Sequence, residues 1–289
     1  PMRSASFATH LVLGLALGCI AAVTHAAANS RPITAQDLWA VKRLGPPALS
    51  PDGKRAVYSV QEWSIEKNKP SSSLWITDVK TGATRRLTFQ SGNDSAPNWS
   101  TDGSRIAFVS KRGDDEAAAL YVIDVAGGEA EEVIELPYGI RSPEWLPDGQ
   151  SIVFATQVIP SLTGKLQKGD WAAMKKEAKR RKDSKMTAYV TELRQYRYFD
   201  KNLTDGLADR LFKVNVATKT VTDLLPGHDR PFVANGEAQF AVAPDGRHVA
   251  LVLNTTLPPY REHPNPDVYL LPTDGSGTLR NLTPDNART

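Results

Sequence analysis

Thr101-Asp102-Gly103-Ser104, followed by Arg105-Ile106-Ala107-Phe108-Val109-Ser110, places a tight turn directly ahead of a β-branched and aromatic run. The same frame recurs as Pro51-Asp52-Gly53-Lys54 before Arg55–Val60, as Pro147-Asp148-Gly149-Gln150 before Ser151–Thr156, and as Pro244-Asp245-Gly246-Arg247 before His248–Leu253. Asp-Gly supplies positive-φ positions at low cost, and a preceding Pro presets φ for turn entry, so each frame reads as a strand-to-strand turn. The first three Asp residues, 52, 102 and 148, are 50 and 46 residues apart; the fourth, Asp245, lies 97 residues further on, about two periods. A period in the forties is the length of a four-stranded propeller blade.

The repeat extends past the turn. A second strand follows in each copy, as Leu74–Val79, Leu120–Val125, Leu211–Val216 and Val268–Leu271, with the enrichment that favours a pleated, half-buried surface. Asp52, Asp102, Asp148 and Asp245 are therefore read as turn residues, and Trp99 and Trp145, at equivalent repeat positions, as packing between blades. The expected fold is all-β: an incomplete β-propeller of about four to five four-stranded blades over residues 29–289.

Two regions stand outside the repeat. At the amino terminus Met2-Arg3 precedes an apolar run from Leu11 to Val23 and the small residues Thr24-His25-Ala26-Ala27-Ala28, the pattern of a signal peptide over residues 1–28. That run is too short for a stable membrane span. Cys19, the only cysteine, lies inside it; Ala16 stands where a lipoprotein signal needs a bulky aliphatic residue, so plain cleavage is expected, giving a secreted or periplasmic chain without thiols. The second region is an insertion at about 160–205, rich in Lys and Arg, in which residues 168–186 are expected to form a polar helix or a mobile excursion from the propeller rim. Arg194, Arg197 and Tyr198, in the aromatic and cationic stretch that follows, are the candidate substrate-binding residues. A net charge of +3 is too mild to indicate a nucleic-acid partner. His228, His248 and His263 are scattered without metal-ligand spacing, so no metal or cofactor is expected.

The frame Ser50-Pro51-Asp52-Gly53-Lys54 with Leu74-Trp75-Ile76, the ending Arg86-Leu87-Thr88, and Arg197-Tyr198-Phe199-Asp200 through Leu203-Thr204-Asp205-Gly206 into Leu211–Val214 resemble the N-terminal propeller of bacterial serine peptidases of the prolyl oligopeptidase family, in its acylaminoacyl and dipeptidyl peptidase branch. The resemblance implies a propeller that caps a following α/β-hydrolase domain and gates the peptides that reach its Ser, Asp and His. No G-x-S-x-G elbow occurs, and Ser276 in Gly275-Ser276-Gly277 lacks its context. The catalytic domain is thus expected to be absent, with Arg280-Asn281-Leu282-Thr283 matching the earlier blade ending Arg85-Arg86-Leu87-Thr88 and the chain stopping mid-repeat at Thr289, and a peptide would be cleaved only through the missing domain. The adjacent Glu131-Glu132 lies in an ordinary strand pattern rather than the aromatic setting of a dipeptidyl peptidase amine clamp, and reads as surface charge. The alternative is a stand-alone periplasmic TolB-like propeller that binds proteins as a scaffold.

Overall fold

The computed structural model describes residues 31–113, 115–163, 171–184, 188, 197–198, 201–202, 206–229, 232, 239–254, 256 and 265–284. The expected signal peptide, with Cys19, lies outside them. The chain divides into two units, residues 1–41 and 42–289. In the first, helix α1 (Ala35–Ala40) begins at a capping box: Asp37 N–H donates to the Thr34 hydroxyl, and the Asp37 carboxylate accepts from Thr34 N–H.

Among its described residues the second unit holds four antiparallel sheets of four or five strands, each with a frame turn leading into one of its inner strands. The first contains β1 (Arg43–Leu44) and β2 (Ala48–Leu49), both against β3 (Arg55–Ser64), then β4 (Lys69–Asp78) and β5 (Thr84–Arg86). The second runs β6 (Ser95–Trp99), β7 (Arg105–Ser110), β8 (Ala119–Asp124), β9 (Glu131–Ile134). The third runs β10 (Arg141–Trp145), β11 (Ser151–Val158), then, beyond a short separate hairpin of β12 (Arg197–Tyr198) and β13 (Lys201–Asn202), β14 (Ala208–Asn215) and β15 (Val221–Asp223). The fourth runs β16 (Phe240–Val242), β17 (His248–Asn254), β18 (Pro266–Pro272), β19 (Arg280–Asn281). These are blades I to IV.

The frame turns refine the expectation for Asp-Gly. In each, only the glycine is left-handed, with φ of 67°, 68°, 63° and 68° at Gly53, Gly103, Gly149 and Gly246. The aspartate contributes its carboxylate instead. Asp102 Oδ1 accepts from the Ser100 hydroxyl at 2.6 Å and from Ser104 N–H at 3.0 Å, while Gly103 N–H donates to Ser100 C=O, closing a type I turn.

Blades pack face to face through three apolar layers. Val57, Leu74 and Ile76 meet Phe108 and Tyr121 between blades I and II; Val122 and Val133 meet Phe154 and Phe212 between II and III; Ala155 and Leu211 meet Val249 and Leu251 between III and IV. Polar links repeat across the same boundaries. The Arg55 guanidinium lies 5.0 Å over the Trp99 ring and donates to Gly103 C=O; one repeat later Arg105 lies 4.8 Å over Trp145 and donates to Gly149 C=O at 2.7 Å. Both tryptophans thus pack between blades, as the repeat position implied. At the III/IV boundary the equivalent positions hold Ser151 and Val242, so the cation and its ring are lost together. There, Glu144 Oε2 accepts Val242 N–H at 2.9 Å, as Asn98 Oδ1 accepts Trp145 N–H one blade earlier.

Candidate functional site

Antiparallel order separates the two ends of every blade. The frames and the turns from third to fourth strand lie at one end. The loops from second to third strand, and the connections from one blade to the next, lie at the other. The insertion joins β11 to β14 and so emerges at this second, loop-bearing end, where β7 and β8 are joined by only residues 111–118.

Within the insertion, helix α2 spans Ala172–Asp183, shorter at each end than residues 168–186. It begins at Trp171 without a side-chain cap and ends where Ser184 turns extended. The helix is seated rather than loose: Met174 is 1% exposed within the layer between blades II and III, and Trp171 packs edge-on against Phe212 at 5.3 Å. Its outer surface is cationic. Glu177 binds Arg180 at 2.7 Å and Arg181 at 3.1 Å, which holds its carboxyl down at about 2. Glu135, at the loop-bearing end of blade II, accepts from Glu116 N–H at 2.7 Å and lies 3.9 Å from Lys175 Nζ.

Beneath these loops sit three ion pairs that the repeat pattern did not reveal. Asp94, 0% exposed, accepts from Thr88 Oγ1 at 2.5 Å, Ser110 Oγ at 2.6 Å and Arg112 Nη2 at 3.0 and 3.1 Å. The Arg112 guanidinium lies 5.0 Å from the Phe108 ring and 4.8 Å from the Tyr121 ring. Burial and the Asp115 carboxylate push the Tyr121 phenol well above its ordinary value. In blade III, Asp209 accepts from Arg141 at 2.8 Å and from Phe232 N–H at 2.9 Å, while its neighbour Arg210 binds Asp223 at 2.6 Å and His228 C=O at 2.6 Å. Burial lowers the Arg210 pKa and raises that of Asp223, and the contact between them opposes both shifts. Asp94–Arg112 ties the connection between blades I and II to the loop after β7, Arg141–Asp209 joins β10 to β14, and Arg210–Asp223 joins β14 to β15, all at the loop-bearing end. The signal was present in the sequence as Asp209-Arg210, a charged pair inside the apolar run Leu207–Phe212; charges on opposite faces of a strand need partners on both.

Of the sequence candidates, Arg197 and Tyr198 form β12, registered Arg197 to Asn202 and Tyr198 to Lys201, within the insertion. Arg194 lies outside the described residues. Glu131 and Glu132 are on β9, the outer strand of blade II, where Glu131 is bridged by Lys219 at 2.6 Å. His248 is half-exposed, 3.6 Å from Asp245, and Ser276 N–H caps Asp274 in a turn. A cleft of about 390 Å³ opens at the frame end, lined by Arg55, Ile76, Asp78 and Arg85. Both of its guanidinium groups are committed to carbonyls of blade II, those of Gly103 and Val125, which makes the cleft a groove between blades. No group of His, Asp or Glu with metal-binding geometry occurs among the described residues, and none of their helices is long and apolar enough to cross a membrane.

Residues 39–175 match the family described as the TolB β-propeller domain. The uncharacterized peptidase YuxL of Bacillus subtilis is 32% identical over 242 residues, 83% of this chain and 34% of its own length. Dipeptidyl-peptidase 5 of Porphyromonas endodontalis is 27% identical over 90% of this chain and 36% of its own. Among solved structures, the acylaminoacyl peptidase of Pyrococcus horikoshii superposes with a TM-score of 0.58 at 16% identity, over 84% of this chain and 32% of that one. The chain spans about a third of the length of the relatives it matches.

Proposed function

We propose that this chain, whose residues 39–175 match the TolB β-propeller domain and which resembles a peptidase over most of its length, serves as the substrate-gating propeller of a secreted serine peptidase of the prolyl oligopeptidase type. The observation that carries this reading is the 242-residue likeness to a peptidase over 83% of the chain. The geometry supports it: blade III diverts its chain at the loop-bearing end into a seated helix and a hairpin, and two buried ion pairs, with a third whose arginine is partly exposed, brace that end. In this role the propeller contributes no reacting group. It sorts peptides by size and charge before they reach a Ser, Asp and His on an α/β-hydrolase domain. Residues 1–28 direct export, and Arg194, Arg197 and Tyr198 are the peptide contacts on the insertion.

A polyclonal antibody raised against residues 42–289 tests this. From source cells treated with a fluorophosphonate probe, it is expected to recover a probe-labelled polypeptide about three times the length of this chain. Recovery of only an unlabelled polypeptide would overturn the proposal and favour the scaffold alternative, for which the match to the TolB β-propeller domain is the supporting observation.

A further inference from the structure

Charge is distributed very unevenly along the chain. Residues 160–205 hold twelve Lys and Arg against six Asp and Glu, a net +6, in a chain whose net charge is +3; the remainder is therefore −3. Helix α2 alone carries six cations against Glu177 and Asp183 over its twelve residues. Arg180, Arg181 and Lys182 in the last turn complement the helix dipole, but elsewhere the arrangement works against helix stability. Lys175 and Lys179, and Lys176 and Arg180, are like charges at i, i+4, and the first turn holds no acidic residue to complement the helix dipole. The local carboxylates are already used, Glu177 by Arg180 and Arg181, Asp183 by Lys179, and Glu135 by Lys175. Lys176 and Lys182 are exposed, and among the described residues neither has an ion-pair partner.

We infer that the outer face of α2 is a docking and steering surface for acidic peptide segments, a reading that rests on the gating role proposed above and specifies its substrate class. Charge complementarity identifies the occupant. A cationic lip on an otherwise net-negative molecule concentrates field at the loop-bearing end and raises the local concentration of anionic chains there. A membrane surface fits less well, because the buried apolar side chain of the helix, Met174, is committed to the blade core, leaving no apolar face to enter lipid. Nucleic acid fits less well, because α2 has no aromatic residue among its cations on which bases could stack.

The test uses the whole chain and fluorescein-labelled dodecapeptides of alternating Gly with Glu, Gln or Lys, followed by anisotropy. At 20 mM salt, where charges act over about 20 Å, the Glu peptide is expected to bind at least ~10-fold more tightly than the Gln peptide, with no binding of the Lys peptide. The preference should collapse at 500 mM salt. It should disappear in Lys176→Glu/Lys182→Glu and weaken in the milder Lys176→Gln/Lys182→Gln, whose far-ultraviolet circular dichroism should match the parent. Equal affinity for the Glu and Gln peptides, or a preference unmoved by both variants, would overturn the inference. So would displacement of the Glu peptide by vesicles containing phosphatidylglycerol or by single-stranded DNA at lower concentration than by unlabelled peptide. Binding here needs no catalysis, so failure of this assay and failure of the fluorophosphonate experiment are separate results.

Discussion

Replacing Asp94 with Ala should be among the most damaging single changes in blade II. The carboxylate is fully buried and holds three donors from three places: Thr88 on the connection to blade II, Ser110 at the end of β7, and Arg112 just beyond it. Removing it leaves the Arg112 guanidinium, 7% exposed, without a counter-charge, held only by its aromatic contacts, the Gln90 amide oxygen at 3.2 Å and the Ser110 hydroxyl at 3.1 Å. Breaking a buried pair by deleting one partner costs about 3–5 kcal/mol, because the remaining charge stays desolvated. For a unit of this size each 1 kcal/mol lowers the midpoint by about 2–4 °C, so Asp94→Ala is expected to lower Tm by roughly 6–20 °C. Arg112→Met should cost a comparable amount. Combining them removes both charges at once, so the double variant should lose roughly 2–3 kcal/mol less than the sum of the singles. Thermal unfolding of the four proteins by circular dichroism measures this coupling. A single-variant shift below about 2 °C, or singles that simply add, would refute the argument that the pair acts as a buried unit.

Three further outcomes follow from other contacts. Met174→Ala, which empties a fully buried site beneath α2, should cost about 2–4 kcal/mol locally and make the 160–205 segment cleave faster in limited proteolysis, with the blade strands unaffected. Glu144 has its pKa raised by burial, so its charged form costs the fold stability above the folded pKa, and that cost vanishes as pH falls through the unfolded value. Glu144→Gln, keeping the acceptor for Val242 N–H, should therefore raise Tm at pH 8 and lose this advantage near pH 4 in parallel melts. Asp102 has the opposite sign: the Ser100 hydroxyl and Ser104 N–H hold its carboxyl at about 2, so its contribution is complete above the ordinary carboxylate range and is lost as pH falls toward 2. The Tm gap between the parent and Asp102→Asn should narrow over that interval.

The blade repeat was legible in the sequence because its determinants are local. A Gly that must adopt positive φ, an Asp two residues from a turn N–H, and alternating apolar runs act within a few residues, so the four frames located all four sheets and their order. The position of Trp99 and Trp145 between blades followed from the period alone. What these local signals could not supply is which distant residues meet. The Asp94–Arg112 pair spans a blade connection and a hairpin. Asp209 and Arg210, adjacent in sequence, find partners in different places because successive strand residues face opposite sides. The insertion makes the same point: its composition announced a helix, but only the packing of Met174 and Trp171 against the third blade decided that this helix is seated at the loop-bearing end. A cationic stretch in a sequence has no direction. Fixed by a buried methionine on one side, it acquires a face, and that face determines what charge the molecule presents to a partner.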